Sequence, residues 1–519
     1  MHLAAWSVFL PLIAGFVILF AKAKGLLWQR MINLLTVCGL VVLSTVLIVE
    51  SAAGAHHVYL LGNWAAPFGI VLVLDKLSAL MVAITSVLAL AALIYAIAAK
   101  TDKRGAHFHV LFSLILFGLN GAFLTGDLFN LFVFFEVLLL ASYGLLLHGG
   151  GRLRTKAGLH YVIINMVGAT LFLFAVGALY GILGTLNIAD MATKIAVLPE
   201  QDIGVVAAAG LLLLVVFGTK AALFPLYLWM PTAYSNTSAA VAALFAIMTK
   251  VGLYAIIRVH GTVFGTDAGA LSFYYMPWLL GLGMITLILA AFGVMASRKL
   301  REQVAYLVLA SIATMLIAVG LNSQLALSAS LYYMIHSTLM AGGLFLLADI
   351  ISRGRGTFKD RFESAYAMPG AILIGAMFMF GAVAMAGVPP LSGFFGKMLI
   401  LDAALEHQWS SIVLAIILIA SFLMIVSMAR TGSLLFYDVL EPNQTEPDET
   451  QASQQDSTIE TPNRVATITV IGLFALSPIL VIFAKPITAY TESVAEQQFD
   501  SQRYVESVLS KQPVTAVEE

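Results

Sequence analysis

Residues 217–254 read FGTKAALFPLYLWMPTAYSNTSAAVAALFAIMTKVGLY, and their chemistry decides what fold the chain can have. Lys220 and Lys250 both lie inside runs apolar enough to span a bilayer, and Phe224-Pro225 interrupts the first run. A lysine at mid-membrane costs about 3 kcal/mol or more, so it faces a polar path and marks function. The proline removes a backbone donor and kinks its helix; at membrane depth the freed carbonyl is tolerated only where protein buries it or a wet cavity meets it. Cation, break, cation is the pattern of an ion pathway.

The rest of the composition agrees. Of 519 residues, 61% are hydrophobic and only 11% charged, with mean hydropathy +0.96. Soluble domains carry roughly 25% charge, so the fold class is an all-α polytopic membrane protein. A net charge of −1 argues against nucleic-acid binding. The single cysteine, Cys38, cannot form an internal disulfide, and one thiolate cannot hold an iron–sulfur cluster or a structural zinc, so no cofactor and no metal site is expected. The amino terminus, MHLAAWSVFLPLIAG, lacks a basic leader and reads as a retained helix.

A span needs about 20 apolar residues. That rule predicts about fourteen transmembrane helices, near 3–22, 31–49, 76–99, 108–125, 128–148, 158–183, 203–229, 237–259, 275–296, 302–321, 324–351, 368–406, 410–437 and 466–488. The seventh and twelfth are broken, at Pro225 and at Pro389-Pro390. Residues 51–75 read as a short hairpin outside the bilayer. Sixteen lysines and arginines fall in the connections after helices 1, 3, 5, 9 and 11, which places those loops in the cytoplasm and both termini outside. Residues 441–463, EPNQTEPDETQASQQDSTIETPN, are too polar to bury a core and are expected to be disordered. The polar tail 489–519 is read as loose, with a docking segment as the alternative.

An internal repeat is also legible. LHYVIINM at 159–166 resembles LYYMIHST at 331–338, and FGTKAALFPLYL at 217–228 resembles FGAVAMAGVPPLSGFF at 380–395. Helices 4–8 and 9–13 are then two five-helix copies; five is odd, so the second copy inserts upside down, as in secondary transporters. The expected units are 1–107, 108–259 (first repeat), 260–437 (second repeat), 438–465 (acidic loop) and 466–519.

Five titratable groups remain inside helices: Glu136, Lys220, Lys250, His336 and Lys397. Desolvation brings a lysine toward neutrality, so it can exchange a proton at working pH, and a carboxylate beside it favours the ammonium form. If Glu136 pairs with Lys220, separating the pair switches the lysine, and Lys250, His336 and Lys397 pass the proton along the row. The bland alternatives are structural ion pairs for Glu136 and the lysines and a packing role for the histidine. Asp127 reads as a helix N-cap, Asp349 and Arg353 as an i,i+4 pair, and Ser235-Asn236 as a turn.

TGDLFNLFVFFEVLLLASYGLLLHGG at 125–150, the 217–237 block, IMTKVGLY and GVPPLSGFFGK together resemble the antiporter-like family. That family comprises the proton-pumping subunits of respiratory NADH:quinone oxidoreductase and the large subunits of the Mrp multisubunit Na+/H+ antiporter; the wording around Glu136 is most similar to the D subunit of the Mrp complex. The resemblance covers nearly the whole chain. It implies a fourteen-helix inverted-repeat fold, other antiporter subunits as partners, and H+ and Na+ as transported ions. It also gives Glu136, Lys220, Lys250, His336 and Lys397 the roles of acid, partner lysine, central lysine, connecting histidine and terminal residue of a proton path. The expected setting is the bacterial cytoplasmic membrane. A pump subunit of an NADH:quinone oxidoreductase or a membrane-bound hydrogenase is the alternative, and a passive assembly scaffold the third reading.

Overall fold

The computed structural model describes residues 2–440 and 459–513. Most of the acidic loop expected at 441–463 therefore lies outside the described residues. Twelve helical segments among those described are long and apolar enough to cross a membrane. Two shorter apolar helices, Phe108–Leu124 and Ala371–Ala386, occupy the places of expected spans 4 and 12.

The chain opens with α1 (Leu3–Ala21) and α2 (Leu26–Ala52), followed by the expected hairpin. Strands β1 (His57–Leu60) and β2 (Val71–Leu74) pair antiparallel, with His57 opposite Leu74. Asp75 then caps α3 (Lys76–Ala98), accepting from the Ser78 N–H while the Ser78 hydroxyl accepts from the Asp75 N–H. This reciprocal box satisfies two of the donors every helix start leaves over. Next come α4 (Phe108–Leu124) and α5 (Leu128–Leu147), the latter capped by Asp127 as its sequence predicts. Helix α6 (Arg152–Leu183) begins earlier than expected, so Arg152, Arg154 and Lys156 belong to its first two turns and not to a loop.

An amphipathic helix, α7 (Ile188–Ala196), was not foreseen; Ile188, Met191 and Ile195 put its apolar stripe inward. Then α8 (Glu200–Lys220) stops at Lys220 itself, and α9 (Trp229–Asn236) resumes after the break. The interruption starts before the proline: Ala222 has φ 56° and Phe224-Pro225 follows. The next span is helical but uneven, running through α10 (Ala239–Phe245), α11 (Met248–Ala255), a π-turn at 256–260 and the short α12 (Gly261–Val263). Helices α13 (Met276–Ala296), α14 (Leu300–Gly320) and α15 (Gln324–Gly354) come next. The second expected break separates α16 (Ala371–Ala386) from α17 (Ser392–Ala404), and α18 (Ser410–Phe436) and α19 (Arg464–Ile482) complete the spans.

Burial sorts these helices into an inner and an outer set. Every residue of the most apolar window in 239–263 is buried, and α14 and α15 are nearly as enclosed. In contrast α1, α2, α6 and α18 leave Phe20, Leu35, Phe174 and Phe422 exposed, as lipid-facing helices do.

The described part of the tail, through residue 513, is not loose. Helices α20 (Ala484–Phe499) and α21 (Ser501–Leu509) bury Val494, Ala495, Tyr504 and Val508. The first packs along α15 and against α3, and the second against α7. Tyr490, Val494, Phe499, Tyr504 and Val508 pack in or against the core, which composition alone hides.

Candidate functional site

Lys220 is the last residue of α8, and its side chain is only 9% exposed. Its Nζ donates to Asn165 Oδ1 on α6 at 3.1 Å and lies 5.9 Å from the Phe135 ring centroid. The expected direct pair with Glu136 is not formed: that carboxylate is half-buried on α5 and acts on Lys220 through space, while the neutral amide takes the hydrogen bond. A cavity of about 20 Å³, lined by Tyr161, Asn165, Lys220, Trp229, Met248 and Val251 among others, adjoins the amine. That is room for one water.

Lys250, on α11, is fully buried, and its Nζ has no hydrogen-bond partner among the described residues. Its helix lies hard against the first break. A Cβ at Gly252 would sit 2.4 Å from Ala221 N and 2.7 Å from Phe217 O, so only glycine permits this approach. The first two lysines thus sit on directly packed elements.

The second break repeats the arrangement with different atoms. Lys397 on α17 is 5% exposed and donates at 2.9 Å to both Ala386 O and Ser421 Oγ. Ala386 closes α16, so the lysine takes up a carbonyl at the interrupted helix end. Fully buried His336, on α15, has Nδ1 2.7 Å from Ser392 Oγ, which lies 2.8 Å from Ser477 Oγ. Nε2 lacks a hydrogen-bond partner among the described residues. A Cβ at Gly393 would stand 2.7 Å from that nitrogen and 2.0 Å from Ala384 O, so the break closes tightly on the imidazole. Helix α10 packs on α15, bringing the two groups' supporting helices into contact.

Several polar groups here carry no charge and drew no attention in the sequence: Asn165, Ser392, Ser421 and Ser477. Two charged groups lie deep in the protein as well. Arg258, on the π-turn two helical turns beyond Lys250, is 3% exposed and pairs with fully buried Asp75 at 2.7 Å. Its Nε also donates to Tyr254 Oη at 3.1 Å, and Tyr254 donates to Phe123 O at 2.6 Å. Gln498, from the tail, donates to Asp75 at 3.2 Å. Burial alone would raise the Asp75 pKa; the Arg258 charge, with His56 and the Ser78 N–H, brings it below the ordinary carboxylate value. A π-turn beside such a pair was the available structural signal, but no sequence rule predicts it.

One of the two other local readings holds, and one does not. Asp349 and Arg353 pair at 2.8 Å, but Ser235 and Asn236, expected as a turn, are the last two residues of α9.

Interrupted membrane helices with lysines buried at both interruptions define a polytopic protein built around an internal polar path. The sequence model of the NADH:quinone oxidoreductase/Mrp antiporter transmembrane family matches residues 125–424, and the chain belongs to that family. It is 41% identical over 85% of its length to the D subunit of a probable K(+)/H(+) antiporter of Rhizobium meliloti, covering 88% of that protein. It is 36% identical over 98% of its length to the D subunit of the Na(+)/H(+) antiporter of Alkalihalophilus pseudofirmus, all of which it covers. Among solved structures, a chain of the Mrp complex from Dietzia sp. DQ12-45-1b matches with TM-score 0.85 at 26% identity, over 98% of this chain and 99% of that one.

Proposed function

We propose that this chain is the D-type component of a multisubunit monovalent-cation/proton antiporter in a bacterial cytoplasmic membrane. In this reading protons pass along Glu136, Lys220, Lys250, His336 and Lys397, and their flow drives cation efflux. The observation that carries the reading is the unpartnered Lys250 amine at the centre of the most buried span, packed on the helix end that bears Lys220. An isolated ammonium in such surroundings is costly, so its proton is held only while neighbouring charge favours it.

The path works by mutual exclusion. Lys220 lies at a helix C-terminus, whose partial negative charge favours the ammonium, as does the nearby Glu136 carboxylate. Two ammonium groups on packed helices repel strongly at low dielectric. Charging Lys220 therefore expels the proton of Lys250 toward His336 and Lys397, and a change at Glu136 resets the pair.

The fourteen-span count, the inverted repeat and the unit boundaries 108–259 and 260–437 belong to the proposal. One feature supports the repeat: α6 reaches the first broken helix through Asn165, and α15 reaches the second through His336, one residue off the matching position. The clustering of cations on one set of connections supports cytoplasmic odd-numbered loops and external termini. Partners are the other subunits of such a complex.

A proton falling through 100 mV releases about 2.3 kcal/mol, so expelling a cation against an opposing gradient needs an electrogenic ratio. Na+ is the proposed ion, and the name of the Rhizobium relative makes K+ its competitor in the same assay. Everted vesicles carrying the complete complex are energised and ΔpH dissipation is followed on adding Na+, K+ or Li+. Lys250→Ala should abolish the response while the complex still assembles; an unchanged response would overturn the reading in favour of a scaffold.

A further inference from the structure

A cavity of about 620 Å³ opens on the face where the basic connections gather, among α6, α9 and the turns before α14 and after α15. Its volume falls within the roughly 300–1,000 Å³ of small-molecule sites. Arg152, Arg154, Lys299, Arg301, Lys359 and Arg361 line it, against only Glu302 and Asp360. Asp360 is already engaged, accepting from the Arg301 backbone N–H at 3.1 Å and from its Nε at 3.2 Å. Arg154 is anchored to the carbonyls of Asn236 and His148. Arg152, Lys299 and Lys359 are exposed and form none of the ion pairs found among the described residues.

The positive end of a long helix points the same way. Helix α6 starts at Arg152 after Gly149, Gly150 and Gly151, all with φ between 66° and 112°, and no side chain caps it. Its first N–H groups therefore add their dipole to the converging cations. A strongly positive hollow of this kind repels Na+ and protons, which argues against a cation mouth. It suits a phosphate.

The same helix indicates where that phosphate comes from. Arg152, Lys156, Leu159, Ile163 and Met166 follow one another at spacings of four, three, four and three, so they share one face of α6. Leu159 is 62% exposed, Ile163 50% and Met166 61%. That face is basic at the cavity and apolar below it. A soluble phosphate has no use for the apolar continuation, whereas the acyl chains of a phospholipid do.

The geometry points to a binding site for an anionic phospholipid, its phosphate held by Arg152, Lys299 and Lys359 and its chains lying along α6. Its assignment to the inner leaflet rests on the orientation proposed above; the site itself does not.

The test uses the intact complex with this subunit as wild type or as the Arg152→Gln/Lys299→Gln/Lys359→Gln variant, in nanodiscs of phosphatidylcholine with added phosphatidylglycerol. Retained lipid is counted by native mass spectrometry, with Arg152→Gln alone as the milder change and thermal melting as a folding control. The expected result is at least about tenfold weaker phosphatidylglycerol retention in the triple variant, a smaller loss in the single one, and unchanged phosphatidylcholine. Equal phosphatidylglycerol retention overturns the proposal, including where a neighbouring subunit covers the hollow. Inorganic phosphate is the second probe. If it displaces the lipid at matching affinity, the site serves a soluble anion and the lipid assignment fails. Cation exchange is measured separately, so its loss bears on the transport reading and not on this one.

Discussion

At the residue scale, the proposed proton path makes the acceptor of Lys220 the group that sets how easily its amine changes charge. Asn165 Oδ1 hydrogen-bonds the ammonium without neutralising it, which leaves Glu136 to act through space. A hydrogen bond to a charged group contributes about 1.5–3 kcal/mol. Asn165→Leu is therefore expected to slow cation-driven ΔpH dissipation by roughly tenfold or more, less than Lys220→Ala, with assembly intact; stopped-flow vesicle measurements rank the three proteins. The Arg258–Asp75 pair behaves differently. Removing one member of a buried pair costs about 3–5 kcal/mol because the other stays charged and dry. Arg258→Gln should lower the melting temperature by several degrees, and Asp75→Asn on that background should recover part of the loss; a double variant worse than either single one would contradict this. Titratable groups were legible in the sequence because charge is conspicuous among apolar neighbours. Asn165, Ser392 and Ser421 were not, since neutral polar residues occur everywhere in such helices and only tertiary packing aims them. The depth of Arg258 is hidden in the sequence because its partner lies 183 residues away.

At the scale of elements, both helix interruptions were visible from their prolines, but the first begins at Ala221, where no proline marks it. What fixes its position is the approach of α11. Gly252→Val should prevent assembly, because its Cβ falls on the backbone of residues 217–221; Gly261→Ala, with nothing within 4 Å, serves as the silent control in the same expression and melting assay. A second joint, outside the spans, ties α2 to α4. Asp102 accepts from Arg30 Nε at 2.6 Å and lies 3.2 Å from His109 Nε2. Burial would raise its carboxyl, yet the hydrogen bonds and charges of His109 and Arg30 hold it down to about 2. A lowered carboxyl contributes stability that is present in full above the unfolded value near 3.9 and disappears as pH falls toward 2. Melting curves across that window should fall more steeply for wild type than for Asp102→Asn. Helix α7 escaped the sequence reading because nine residues are too few for a span and its stripe stands out only by periodicity.

At the scale of the molecule, hydropathy and the two proline-marked breaks disclosed most of the fold, whereas the path of residues 484–509 stayed hidden. Helices α20 and α21 are polar on their outer side, and their docking depends on surfaces that other parts of the chain supply. Ending the chain before Ala484 should lower thermal stability and speed amide exchange in the 57–74 hairpin, as Gln497 donates to Gly54 O and Tyr504 stacks edge-on against His56; unchanged exchange there would mean the contacts carry no load. The route of this segment has a further consequence. It touches α3, α7, α12 and α15, and so laces elements of both proposed halves together like a strap across a hinge. A protein bound in that way is poorly built for swinging its halves apart on each cycle. On the proposed path, turnover then proceeds by small rotations of side chains and by the comings and goings of single waters, with the scaffold standing still.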